Sequence, residues 1–124
     1  MHKKILIIEN DPLNVSLFKE GLGHAWELLF VSTFDDAFKI LNMDPVQLII
    51  LNVNIEGKTA FDFMLRLSES KENRDTSTVF VTEMKDRHVM HTAMKIGGTG
   101  YIFKPLDIQE IQLTVRNQMK LMGV

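Results

Sequence analysis

Short, wholly apolar runs alternate along the chain with longer segments in which apolar residues recur every three or four positions. Residues 5–8 and 48–51 are continuous apolar runs, which favours strands that are covered on both faces. Apolar and β-branched residues predict three further strands, at residues 26–31, 78–82 and 101–103. The sequence therefore predicts five strands, with residues 48–51 at the centre of a sheet.

A segment with helical spacing follows each predicted strand. The third of these helices is expected at about residues 58–67, with Phe61, Met64 and Leu65 facing inward. Asp86 is the expected N-cap of the fourth helix. The inward residues expected in the other segments share the same three- or four-residue spacing and are Val15, Phe18, Leu22, Phe34, Ala37, Phe38, Leu41, Val89, Ala93, Ile96, Ile108, Ile111, Val115, Met119 and Met122.

This regular alternation of strand and helix predicts an α/β fold with right-handed crossovers. Its sheet is expected to be parallel, with five strands and with helices on both faces. The sequence contains no linker, internal repeat or low-complexity segment. Residues 1–124 are therefore expected to form a single domain.

Composition and charge narrow the class of protein further. The 124 residues are 45% hydrophobic and 24% charged, with a net charge of −2, which favours neither nucleic acid nor a membrane surface as partner. The absence of cysteine excludes a disulfide framework and a thiolate metal site. The apolar run near the start is too short for a signal peptide, so we expect a cytoplasmic protein.

Polar residues follow four of the predicted strands directly. Because the carboxyl ends of parallel strands lie at one edge of a sheet, we expect these side chains to share a crevice. Asp11 alone is more simply interpreted as a helix cap. The residues are Glu9, Asn10 and Asp11 after the first strand, Asn52 and Asn54 after the third, Thr82 and Glu83 after the fourth, and Lys104 and Pro105 after the fifth.

Four segments, KKILIIENDPLN, QLIILNVNIEG, STVFVTEMKD and GGTGYIFKPLD, together resemble the receiver domain of bacterial two-component response regulators. The resemblance covers essentially the whole chain. The family that it indicates includes the chemotaxis response regulator. It implies the strand order 2-1-3-4-5, which is also the order of the flavodoxin-like fold. It further implies phosphoryl transfer from a histidine kinase to an aspartate that ends the third strand, with magnesium held by an acidic pair after the first.

The resemblance also assigns roles to single residues. Thr82 matches the switch hydroxyl that grips the phosphoryl group, and Tyr101 matches the aromatic residue that moves with it. Lys104 matches the lysine that pairs with the acidic pocket, and the bond from Lys104 to Pro105 matches a cis peptide bond. Glu83 stands where the family usually has a small residue, so we expect it to crowd the pocket.

The acidic residues of the family pattern are largely absent. Asn52 replaces the phosphoacceptor aspartate, Asn10 replaces one magnesium-binding aspartate, and Glu9 replaces the other. An amide is not a nucleophile toward a phosphoryl group, and one carboxylate is a poor magnesium site. We therefore expect no phosphorylation at Asn52, no metal, no cofactor and no enzymatic activity. Glu9 and Lys104 are expected to neutralise each other directly.

These expectations describe an atypical receiver that acts through protein–protein contacts. The expected partner is a histidine kinase, an effector domain or a second copy, bound through residues 86–96, 100–103 and 107–121. Met90 and Met94 are expected to add an adaptable patch to that surface.

Two alternatives remain open at this point. Asp11 or Glu9 would serve as the phosphoacceptor in one, and the crevice would hold a small ligand in the other. His88 and His91 are interpreted as solvated residues and not as zinc ligands.

Overall fold

The computed structural model describes residues 3–55 and 57–124, and its main sheet contains five parallel strands. The strand order is β2-β1-β3-β4-β5. This α/β architecture and strand order confirm the predicted fold. The strands are β1 (Lys4–Ile8), β2 (Glu27–Val31), β3 (Leu48–Asn52), β4 (Ser77–Thr82) and β5 (Gly100–Phe103).

Four helices connect these strands, and a fifth follows β5. They are α1 (Pro12–Leu22), α2 (Phe34–Met43), α3 (Ala60–Ser68), α4 (Arg87–Met94) and α5 (Ile108–Leu121). A 3-10 turn at Met84–Asp86 precedes α4. None of the helices in the described ranges has the length and apolarity needed to cross a bilayer.

The sheet separates two apolar layers because successive residues of a strand point to opposite faces. Leu6 and Ile8 of β1 lie in a cluster with residues of α2, α3 and α4. Ile5 and Ile7 lie in the other cluster with residues of α1 and α5. The whole of β3 is buried. The apolar sequence of its residues 48–51 therefore follows from the central position of the strand.

The segment after β3 departs from the prediction. Asn54–Ile55 and Lys58–Thr59 form a short antiparallel hairpin, which occupies the start of the helix expected at residues 58–67. Glu56, one of the polar residues after the third strand, lies outside the described residues. Thr59 and Asp62 then form a capping box that begins α3 two residues later than expected.

This later start changes which face of α3 is inward. The buried residues of α3 are Ala60, Phe63, Met64 and Leu67. Only Met64 was expected correctly, since Phe61 is half-buried and Leu65 is 44% exposed. The ring of Phe63 packs between Phe34 and Phe38 of α2, with centroids 5.2 and 4.9 Å away, and this aromatic contact defines the inward face.

The predicted methionine patch on α4 is also wrong. Met90 is completely buried, and Met94 is half-buried against the same apolar cluster. Helix α4 turns Met90 and Ala93 toward the sheet, so the methionine side chain fills the core. His88 and His91 lie on the exposed face of the helix.

Candidate functional site

The carboxyl ends of β1, β3, β4 and β5 meet at one edge of the sheet, as predicted. Strand pairing places Asn52 beside Val81 and Thr82 beside Phe103. A crevice of about 230 Å³ opens there, and its lining includes Asn52, Asn54, Thr82, Glu83 and Lys104. Five of the predicted residues thus share this crevice, whereas Glu9, Asn10, Asp11 and Pro105 are not among the residues that line it.

Glu9 lies directly beyond β1 and is buried, with 3% of the residue exposed. Its Oε2 atom accepts hydrogen bonds from the backbone N–H groups of Asn10 and Asp11, at 3.0 and 3.2 Å. The same oxygen accepts a hydrogen bond from the side-chain amide of Asn52, at 2.9 Å. The buried carboxylate is therefore surrounded by neutral N–H donors, which satisfy much of its hydrogen-bonding capacity.

Asn52 is held at both ends of its amide group. Its nitrogen donates to Glu9, and its Oδ1 atom accepts a hydrogen bond from the backbone N–H of Asn54, at 3.2 Å. These two partners define the orientation of the amide, because a carboxylate requires the nitrogen and an N–H group requires the oxygen. Asn52 therefore connects the end of β1 to the hairpin that follows β3.

Asn14 completes this network and was missed in the sequence analysis. It is buried on α1 and donates a hydrogen bond from its side chain to Oε1 of Glu9, at 3.1 Å. The sequence carries a signal for it, because Asn14 shares a helical stripe with Phe18 and Leu22, at four-residue spacing. A polar residue on that buried stripe indicates a buried polar partner.

The expected ion pair between Glu9 and Lys104 is wrong. Among the described residues, no salt bridge joins these two side chains. The physical reason is that four N–H groups already surround the carboxylate, two of them from the backbone at the start of α1. The backbone N–H of Lys104 donates to the carbonyl of Thr82, at 2.8 Å.

The other two residues of the predicted acidic pocket have different surroundings. Asp11 is the N-cap of α1, and its carboxylate accepts a hydrogen bond from the backbone N–H of Leu13, at 2.9 Å. Asn10 is exposed and contributes its backbone N–H to the Glu9 network. Asp11 thus has the capping contact that the sequence analysis favoured for it.

Of the residues matched to the family switch, Thr82 and Lys104 line the crevice, whereas Tyr101 is not among its lining residues. The hydroxyl of Thr82 is buried and donates to the carbonyl of Glu83, at 3.0 Å. Tyr101 is 47% exposed, and its ring packs edge-on against Phe103, with centroids 5.2 Å apart. The peptide bond between Lys104 and Pro105 is cis, as expected. The Glu83 carboxylate lies 3.3 Å from the Lys85 ammonium.

The donor set does not suit a magnesium ion. The described residues contain no group of three or more histidine, cysteine, aspartate or glutamate side chains that would hold a metal. Glu9 directs its carboxylate at N–H donors, and Asn52 presents an N–H group to that carboxylate. Magnesium prefers several oxygen ligands in octahedral geometry, so this arrangement does not fit it.

Comparison with known proteins relates the chain to a family. Its sequence matches the family described as "Response regulator receiver domain" over residues 5–116. It is 25% identical over 117 residues to the transcriptional regulatory protein CrdR of Helicobacter pylori, covering 94% of this chain and 54% of the relative. It is 25% identical over 111 residues to the transcriptional regulatory protein MalR of Bacillus subtilis, covering 87% and 46%. The chain thus spans about half the length of these relatives.

Solved structures show the same fold. The chemotaxis response regulator CheY4 of Vibrio cholerae superposes with a TM-score of 0.86 at 18% identity, covering 95% of this chain and 99% of that one. A two-component response regulator from Clostridium difficile has a TM-score of 0.87 at 19% identity, covering 99% and 100%. The receiver domain of the sensor histidine kinase PA1611 from Pseudomonas aeruginosa, which has magnesium coordinated in its active site cleft, has a TM-score of 0.84 at 14% identity, covering 97% and 99%.

Proposed function

This chain belongs to the response regulator receiver domain family, and from that premise we propose that it transmits signals without being phosphorylated at Asn52. Receiver domains are signalling modules that interact with histidine kinases or effector domains. In the proposed function, the chain keeps these protein contacts and lacks the covalent step. It is an atypical receiver whose state is set by the partner it binds.

The single observation that carries this proposal is the environment of Asn52. Its amide occupies the end of β3, the position that the family resemblance assigns to the phosphoacceptor. The nitrogen is already engaged with the Glu9 carboxylate, at 2.9 Å. An amide nitrogen has its lone pair delocalised into the carbonyl, so it supplies no nucleophile for attack on phosphorus. The PA1611 receiver holds magnesium at its cleft, whereas the donors here suit a site without metal.

The proposed partner surface consists of α4, β5 and α5. The half-exposed ring of Tyr101 lies on β5, between these two helices in chain order. An exposed tyrosine supplies a rigid apolar ring and a hydroxyl, a combination that is common at protein interfaces. In this proposal, binding of a kinase-like domain, an effector domain or a second copy changes the position of Tyr101 and Thr82. The chain spans about half the length of the curated relatives it matches.

The experiment is incubation with acetyl phosphate and magnesium, followed by intact-mass measurement. We expect no added phosphoryl group on the natural sequence. The double variant Asn10→Asp/Asn52→Asp is the matched positive control, because it restores two carboxylates at the positions that the family resemblance assigns to them.

An adduct on the natural sequence would contradict the proposal. Peptide mapping would then distinguish Asp11 from Glu9 as the acceptor. The capping contact of Asp11 and the burial of Glu9 both argue against these residues as acceptors.

A further inference from the structure

The charges of the chain are unevenly distributed, and α4 and β5 lie in a stretch without acidic residues. Residues 87–106 contain three basic residues, Arg87, Lys95 and Lys104, and no aspartate or glutamate, although the whole chain has a net charge of −2. This stretch therefore carries a formal charge of +3, and the rest of the chain carries −5. A local excess of one sign attracts partners of the opposite sign.

Arg87, His91 and Lys95 form a basic stripe along α4 and its C-cap, because residues four apart lie on the same side of a helix. All three residues are exposed. None of them forms a salt bridge with another described residue. The guanidinium of Arg87 donates a long hydrogen bond to the carbonyl of Met84, at 3.4 Å. The charges of this stripe can therefore meet carboxylates of a partner.

The ring of Tyr101 lies on the same side of the sheet as this basic stripe. Tyr101 pairs with Phe80 of β4, and paired residues of parallel strands point to the same face. Phe80 belongs to the apolar cluster that includes residues of α4. A Cβ atom at Gly98 would lie 2.9 Å from the sulfur of Met94, so α4 passes beside the segment that leads into β5. The basic stripe and the half-exposed ring therefore border one surface.

The chemistry of this surface favours one class of partner. A symmetric contact with a second copy would bring Arg87 and Lys95 of both copies together, without a carboxylate from residues 87–106 to offset them. Nucleic acid is disfavoured, because the charge of −5 on the rest of the chain repels phosphates. A helix with carboxylates and apolar side chains on one face would complement both the basic stripe and the ring of Tyr101.

We propose that α4 and β5 dock an acidic amphipathic helix of a partner protein. Carboxylates at four-residue spacing on that helix pair with Arg87 and Lys95, and its apolar side chains pack on the ring of Tyr101. This inference rests on the proposed function, whose partner surface it narrows to one chemistry. Its test measures binding, whereas the test of the proposed function measures covalent mass, so the two can fail separately.

The experiment is an NMR titration of the folded chain with a synthetic helical peptide of about 20 residues. The peptide carries glutamates at four-residue spacing, with leucines along the adjacent stripe. We expect chemical-shift changes at the backbone amides of Arg87, His91, Lys95 and Tyr101. A matched peptide with glutamine in place of each glutamate is expected to bind at least about tenfold more weakly. Equal affinity for the two peptides would overturn the proposal.

Charge reversal locates the docking surface. The double variant Arg87→Glu/Lys95→Glu is expected to weaken binding of the acidic peptide at least about tenfold. Lys71→Glu/Arg74→Glu is the matched control, because it makes the same change of charge at two exposed residues that form no salt bridge with the other described residues. Its affinity is expected to stay within about twofold of the natural chain at moderate salt. An equal loss in both variants would show that only net charge matters and would overturn the assignment.

The ring of Tyr101 provides a test that does not depend on charge. Tyr101→Ala is expected to weaken binding of the acidic peptide about tenfold, because it removes an aromatic anchor. Tyr101→Phe keeps the ring and is expected to bind within about twofold of the natural chain. Equal affinity of Tyr101→Ala and the natural chain would refute the role of the ring.

Two further measurements distinguish the other classes of partner. Concentration-dependent shifts at the same amides without peptide would identify a second copy as the occupant. Tighter binding of a duplex DNA oligonucleotide than of the acidic peptide would identify nucleic acid. We expect neither result, and either one would overturn the proposal.

Discussion

The side-chain amide of Asn52 donates a 2.9 Å hydrogen bond to Oε2 of Glu9, a residue 43 positions earlier in the chain. This contact joins the ends of the neighbouring strands β1 and β3. The site carries one negative charge, whereas three acidic groups at these positions would need a cation. The buried carboxylate, the amide and the N-terminus of α1 form one network. Its donors and acceptors match without a metal ion.

Replacement of Asn52 by aspartate tests this match. Asn52→Asp removes the N–H donor and places a second carboxylate against Glu9. We expect the free energy of unfolding at neutral pH, without magnesium, to fall by about 2–4 kcal/mol. The loss is expected to shrink in acid, because protonation of either carboxyl group removes the repulsion.

Chemical denaturation in urea across a range of pH values would measure this effect. Asn54→Asp introduces the same charge at an exposed position, and its effect is expected to stay within about 0.5 kcal/mol. Equal effects of the two substitutions would show that the hydrogen bond between Asn52 and Glu9 contributes nothing specific.

Restoration of the acidic residues should also restore a cation requirement. The double variant Asn10→Asp/Asn52→Asp adds two carboxylates to that of Glu9. The three carboxylates together form an arrangement that suits magnesium. We expect magnesium to stabilise it by about 1–3 kcal/mol at concentrations roughly ten to a hundred times Kd. The melting temperature of the natural sequence is expected not to respond, with sodium chloride at equal ionic strength as the reference. A response of the natural sequence would contradict our interpretation of the site.

Substitution by alanine is expected to change the stability of the fold in opposite directions at two glycines. A Cβ atom at Gly98 would lie 2.3 Å from a ring carbon of the fully buried Phe80, so Gly98→Ala is expected to destabilise the fold by about 1–3 kcal/mol. A Cβ atom at Gly21 in α1 would meet its nearest neighbours at 3.6 Å, an ordinary contact. Gly21→Ala is therefore expected to stabilise the protein by about 0.5–1 kcal/mol. Thermal unfolding measures both, and the same sign for the two variants would refute this account of the packing.

The ion pair between Asp35 and Arg66 predicts a specific pH dependence. The hydrogen bond from the Arg66 guanidinium, at 2.8 Å, and its positive charge lower the pKa of the Asp35 carboxyl from the ordinary 3.8. The folded-state pKa is then below the unfolded one, so the stabilisation is present above about pH 3.8. It is lost as the pH falls through the lower folded value.

Melting temperatures of Asp35→Asn and the natural protein test this sign. The melting temperatures of the two proteins are expected to differ at neutral pH and to converge in strong acid. Added salt should reduce the difference at neutral pH, because the ion pair is exposed. Asp75→Asn is the control, because it removes the same charge from an exposed aspartate that forms no salt bridge with the other described residues. A difference that is independent of pH would contradict the assigned cause.

The sequence by itself determined the strands, their order along the chain and the edge at which the polar residues meet. Residues 5–8 and 48–51 are apolar throughout, and such runs are stable only between two covering layers. Because parallel strands share one carboxyl edge, Asn52, Thr82 and Lys104 were correctly expected to meet in a crevice. These conclusions depend on local periodicity and on topology, and both follow from the order of the residues along the chain.

Only the tertiary structure decided which polar groups pair and which faces of the helices turn inward. The contact between Phe63 and the two phenylalanines of α2, and not local spacing alone, places Leu65 outside. Met90 is buried because of where α4 lies on the sheet. Glu9 takes its hydrogen bonds from Asn14 and Asn52 and has no ion pair with Lys104. Distances between side chains on separate elements depend on three-dimensional packing, and no periodic pattern in the sequence encodes them.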